Sequence, residues 1–306
     1  MNIFTKTKPF ACNFLLLTFL LLLFSFTAKA QESPVMADGA ELKLISDKFS
    51  FTEGPAVDIY GNVFFTDQPN NRILKWSNSD SITVFMEDAG RSNGLYFDYD
   101  GNLLACADED NQLWKITPEK EITVLIDDFK GKKLNGPNDL WVDSRGGFYF
   151  TDPYYQREYW SRTEKEIENE RVYFFATDTK EIIPVAEDLV KPNGIIGSPD
   201  GKMLYVADIG DEKTWSYSIN NDGSLSEKTL FAEMGSDGMT IDDEGNIYLT
   251  GDGVTVFNKS GEQIEHIPVP EDWTANVTFG GKGQQLLFIT ASKSLYTLEM
   301  KVNGVR

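Results

Sequence analysis

An all-β fold, a six-bladed β-propeller with four-stranded antiparallel blades, is predicted by three features of the sequence. An oxygen-bearing side chain recurs at Glu53, Asn93, Asn138, Asn193, Asp237 and Asn276, at spacings of 40, 45, 55, 44 and 39 residues. Each of them opens a short apolar run that passes through a polar turn into a second run, and periods of this size mark propellers, solenoids or other arrays. No segment sustains helical periodicity, although EKEIENE in the third repeat is expected to form a brief turn of helix. A solenoid would need capping repeats, and none is visible.

Taken in chain order, residues 1–30 read as a secretory signal. Lys6 and Lys8 precede an apolar run from Phe14 to Phe26, and Ala28-Lys29-Ala30 supplies the small-x-small cleavage pattern. Cys12 lies before that run, which argues against lipid attachment. Residues 31–306 then form a single propeller domain. Leu42 to Phe51 alternates and is expected to complete the last blade as its outer strand, hiding edges that an open ring would expose. The blocks follow as EGPAVDIYGNVFFTD, NGLYFDYDGNLLACAD, NDLWVDSRGGFYFTD, NGIIGSPDGKMLYVAD, DGMTIDDEGNIYLTG and NVTFGGKGQQLLFITA. DxxG turns join the paired runs at Asp58 to Gly61, Asp98 to Gly101, Asp143 to Gly146 and Asp242 to Gly245. A third run (RILKWS, QLWKIT, RVYFFA, WSYSI, SLYTLE) and usually a fourth (TVFME, TVLID, EIIPVA, KTLFAE) complete four short strands per repeat.

Composition excludes several functions. Loss of the three signal lysines takes the formal charge from −20 to −23. Such a surface repels nucleic acid and anionic membranes and attracts cations. No later stretch is apolar enough to cross a bilayer. The processed chain is therefore expected in a bacterial periplasm or medium, without a membrane partner. No apolar stripe suggests an obligate subunit, so a monomer is expected. Cys106 is the sole cysteine after processing and sits in LLACA, where a buried inert thiol is expected. His266 is the only histidine and falls at no motif position, so Ser-His-Asp and Cys-His chemistry lack their imidazole.

If the repeats surround an axis, the six oxygen donors converge on it. Turn capping explains Asn or Asp at one or two positions, but not at six, and it does not explain Glu53. Hard oxygen donors without nearby sulfur or imidazole suit a divalent cation, Ca²⁺ before Zn²⁺, Mn²⁺ or Mg²⁺. The second strand returns to the donor face, ending at Asp67, Asp108, Asp152 and Asp208. The insertion PYYQREYWSRTEKEIENE (153–170) follows Asp152 and is expected on that same face, as a candidate lid.

From FTEGPAVD to FITASKSLY the chain resembles the gluconolactonase and regucalcin (senescence marker protein) family. GKKLNGPNDLWVDSRGGFYFTDPYY, RSNGLYFDYDG, KPNGIIGSPDGKMLYVADI, SDGMTIDDEGNIY and NVTFGGKGQQLLFITAS carry the resemblance, in the family's order. It implies metal-dependent hydrolysis of a small-molecule lactone. Glu53, Asn193 and Asp237 would hold the ion, with Asn138 as a further ligand or substrate contact. Asp237 would also act as base. Asn93 and Asn138 would orient substrate, and Tyr154 or Tyr155 would close over it. Regucalcin-like members carry Arg where this chain has Gly136, and many relatives carry His where it has Asp108. A non-catalytic propeller that binds metal and sugar or partner is the alternative reading.

Overall fold

The computed structural model describes residues 1–3 and 32–305, so the predicted signal segment lies outside the described residues. Residues from Ser33 onward form one compact unit. It holds six four-stranded antiparallel sheets. The first strands of the sheets are Thr52–Val57, Ser92–Phe97, Leu140–Asp143, Pro192–Gly197, Met239–Ile241 and Thr274–Gly280. Each touches the first strand of the next blade, and the sixth touches the first, so these strands line a closed ring. The six-bladed expectation is met. Among the described residues no helix is long and apolar enough to cross a membrane.

Ring closure follows the expected route. Lys43–Ser46 pairs antiparallel with Ser294–Glu299 and becomes the outer strand of blade six. Thr52 adds a buried stitch at that seam, its hydroxyl donating to the carbonyls of Ser292 and Ser294.

The core is distributed between blades. Val63, Phe65, Leu74 and Trp76 of blade one pack on Phe288 and Leu295 of blade six. Equivalent clusters fill the other seams. Strands buried on both faces explain the continuous apolar runs such as LLACA and GFYFTD, every residue of which is buried.

The DxxG turns sit opposite the donor ring. In the first, Asp58 Oδ1 accepts from the backbone N–H groups of Tyr60 and Asn62, both at 2.9 Å. Gly61 takes φ +82°, the left-handed value this turn requires.

The helical turn expected at EKEIENE is absent; residues 164–170 form bends and irregular backbone. Seven residues are too few to nucleate a helix unaided, and side chains here are drawn to other partners. Glu166 accepts from the Lys133 backbone N–H at 2.9 Å, and Ile167 is buried in the seam between blades two and three. A 3₁₀ turn instead occurs at Gln68–Asn70, started by Pro69.

Candidate active site

Glycine builds the site before any polar group does. Four ring residues are followed by Gly54, Gly94, Gly194 and Gly238. A Cβ on Gly54 would lie 2.0 Å from the Asn93 carbonyl oxygen, and one on Gly238 would lie 1.9 Å from Asn276 Cγ. For Gly94 and Gly194 the distances are 2.5 Å to the Asn138 carbonyl oxygen and 2.6 Å to that of Asp237. Ring residues of neighbouring blades thus stand too close for a side chain at these positions.

The six predicted donors lie in or just before the first strands that line the ring. Glu53, Asn93, Asn138, Asn193 and Asn276 are buried, while Asp237 is partly exposed at the mouth. Glu53 Oε2 accepts from its neighbour Gly54 N–H at 2.8 Å and from Asn276 Nδ2 at 3.2 Å. Asn193 Nδ2 donates to the Tyr155 hydroxyl at 3.0 Å, and its amide also bonds Asp237. Asn138 is pinned through its backbone, which bonds Thr151 and Gly94. The buried Oδ1 of Asn93 has no hydrogen-bond partner among the described residues.

Burial, and then the Asp237 charge, push the Glu53 carboxyl well above the carboxylate range. Burial pushes Asp237 up to about 6, opposed by hydrogen bonds from Trp273 and Asn193 and by the Arg157 charge. No lysine or arginine forms an ion pair with Glu53 or Asp237 among the described residues. Carboxylates that raise one another in so enclosed a site, without an ion pair, are costly. The donor set therefore fits a hard divalent ion: the carboxylates of Glu53 and Asp237 with Asp139 near them, adjacent amides and one unspent amide oxygen. Among the described residues no group of three or more His, Cys, Asp or Glu side chains is arranged to hold a metal ion.

Two residues at this site escaped the sequence reading. Trp273, 38% exposed in the loop before blade six, donates its indole N–H to Asp237 Oδ2 at 2.6 Å. It sits at no repeated position, so no periodic signal marks it. Asp139 is buried on the axis, hydrogen-bonded to Asn276, and burial pushes its carboxyl up to about 7. A signal for it did exist, because Asp139 stands where four other repeats have glycine.

The insertion 153–170 covers the donor face, as expected. Tyr155 reaches Asn193, whereas Tyr154 turns into the insertion and donates to Gln156. The insertion is fastened at Asp108, which receives Arg157 Nε at 2.8 Å and the Tyr159 hydroxyl, while Trp160 Nε1 donates to the Asp108 carbonyl at 2.7 Å. Asp108 departs from its counterparts here. Asp67, Asp152 and Asp208 each clamp two successive backbone N–H groups leading into their own blade. The carboxylate of Asp108 is turned to the lid instead. A Cβ at Gly136 would lie 3.0 Å from Trp160 Cη2, so the space of a larger side chain there is filled by the insertion's indole.

Cys106 is fully buried, with its thiol pushed up by burial, and His266 is exposed on an outer strand, Nδ1 3.1 Å from the Thr255 hydroxyl. Neither stands at a ring position.

Comparison with known proteins agrees with this picture. The profile of the SMP-30/Gluconolactonase/LRE-like region matches residues 51–293. The chain is 29% identical to a gluconolactonase of Zymomonas mobilis, over 86% of this chain and 82% of that one. It is 27% identical to lactonase drp35 of Staphylococcus epidermidis, over 80% of each. Among solved structures, a gluconolactonase from Xanthomonas campestris superposes with a TM-score of 0.81 at 29% identity, covering 87% of this chain and 90% of that one. Blades, axial ring and matched sequence together place the chain in the SMP-30/Gluconolactonase/LRE-like family.

Proposed function

We propose that the protein is an exported enzyme that hydrolyses sugar lactones with the help of a divalent cation, Ca²⁺ by preference, held by Glu53, Asn193, Asp237 and Asn138. One observation carries the reading: the interacting carboxyl groups of Glu53 and Asp237 share the axis with amide side chains and form no ion pair among the described residues, and Tyr155 of the insertion reaches the same ring. The gluconolactonase and lactonase relatives support the choice of substrate class. When bound, the ion supplies Lewis acidity to the lactone carbonyl and charge to balance the carboxylates.

The remaining work falls to the chain. Asn93 and Asn138 orient the substrate through its oxygens, and Tyr155 covers it. Asp237 Oδ2 is tied to Trp273, which fixes the plane of the carboxyl group. Asp237 takes a proton from water as the water oxygen bonds the carbonyl carbon. The ring C–O bond then breaks, the proton passes to the departing ring oxygen, and a hydroxy acid is released.

Base uptake in a pH-stat measures it directly. Hydrolysis of aldonolactones should vanish on chelation, return with Ca²⁺, Mn²⁺ or Zn²⁺, and fall by about 10³-fold in Asp237→Ala. Turnover that survives both treatments overturns the proposal, and tight sugar binding without turnover would identify a non-catalytic propeller. Export is tested by N-terminal sequencing of the secreted chain, which should begin at Gln31.

A further inference from the structure

The rim of the site carries a positive charge that the reaction above does not use. Lys191 lies two residues before Asn193, with its backbone N–H clamped by Asp208 Oδ1 at 2.7 Å. Its ammonium is 4.6 Å from the centre of the Tyr155 ring and donates to the Tyr154 carbonyl at 3.2 Å. That uses one of three donors. No carboxylate pairs with Lys191 among the described residues. Lys191 is half-buried beside the site, in a chain of 48 acidic and 28 basic residues.

Arg157 stands by the same ring, its guanidinium carbon 5.6 Å from the centroid. Asp108 holds Arg157 through Nε, which leaves the outer nitrogens of the fork uncommitted. The far edge of Tyr155, its hydroxyl, meets Asn193. Both cations are therefore one aromatic ring away from the ring of oxygen donors. A neutral sugar chain crossing this rim would leave the ammonium partly desolvated and unpaired. A chain ending in anionic oxygens would complete charge-assisted hydrogen bonds with Lys191 and the fork of Arg157.

We infer that Lys191 and Arg157 form a subsite for an anionic oxygen group at the end of the substrate remote from the reacting carbonyl. The preferred substrates are then acidic lactones, either the half-lactones of sugar diacids or the lactones of sugar phosphates. This rests on the lactone-hydrolase reading of the axial site.

The test compares D-glucono-1,4-lactone with D-glucaro-1,4-lactone, which differ by a hydroxymethyl group and a carboxylate, and adds a 6-phosphogluconolactone arm. Wild type with Ca²⁺ should favour at least one acidic lactone by about tenfold in kcat/KM, mostly through KM, and about 0.5 M salt should shrink the preference. The preferred arm distinguishes carboxylate from phosphate. Lys191→Met should bring the acidic-to-neutral ratio near one, and Lys191→Arg should retain the preference. Equal use of all lactones by wild type, or an unchanged ratio in Lys191→Met, overturns the subsite. If wild type hydrolyses no lactone, the hydrolase reading fails on its own. Calorimetric binding of glucarate against gluconate then decides: a Lys191-dependent preference for the diacid supports the subsite, and equal binding refutes it.

Discussion

At the scale of single residues, the Asp237 carboxylate is held by the Trp273 indole. The indole N–H on a carboxylate oxygen is a charge-assisted bond, and losing one costs about 1.5–3 kcal/mol. Trp273→Phe should therefore lower kcat/KM for lactones roughly 10- to 100-fold, with a melting temperature close to wild type because the side chain is partly exposed. The carboxyl pair makes a second prediction. Glu53 and Asp237 are both raised, so protons occupy the pair at low pH and a cation must displace them. With Asp237 near 6, Ca²⁺ affinity should rise with pH, and calorimetric titration should find binding about tenfold weaker at pH 5 than at pH 8. An affinity independent of pH would contradict this arrangement. The six ring residues were legible in the sequence because repetition marks them. Trp273 was not legible, since its place in an unrepeated loop is set by the packing of two blades.

At the scale of elements, the insertion after Asp152 illustrates both what sequence patterns reveal and what they miss. Strand counting places 153–170 on the donor face, and Tyr155 lies there. The fastening at Asp108 was hidden, because in the pattern Asp108 looks like Asp67, Asp152 and Asp208, which clamp backbone. Only the three-dimensional course of Arg157 and Tyr159 reveals the different use. Asp108→Ala should loosen the insertion without opening the propeller. Trypsin should then cut after Arg157, Arg162 or Lys165 at least about tenfold faster, read by mass spectrometry, while far-ultraviolet circular dichroism stays unchanged. The glycines that follow ring residues belong to this scale too. Gly238→Ala would force Asn276 aside and with it the bond to Glu53, so a loss of about 1–3 kcal/mol in stability is expected by thermal melting.

At the scale of the whole molecule, the period of about 45 residues announced the fold, because each repeat is one sheet that cannot bury both faces alone. The number of blades and the closing strand at Leu42 to Phe51 followed from it, and Lys43–Ser46 occupies that place. A cation held as proposed would link blades one, three, four and five through Glu53, Asn138, Asn193 and Asp237. Saturating Ca²⁺, at about 100 times its dissociation constant, should stabilise the fold by about 2.7 kcal/mol, on the order of 5 °C in melting temperature. The seam of blade six bears on folding as well. Five of the six sheets form from consecutive strands, whereas the sixth joins Lys43–Ser46 to Ser294–Glu299, strands from opposite ends of the domain. The circle shuts only when those distant strands pair. The axial residues therefore reach their final distances in that one long-range closure.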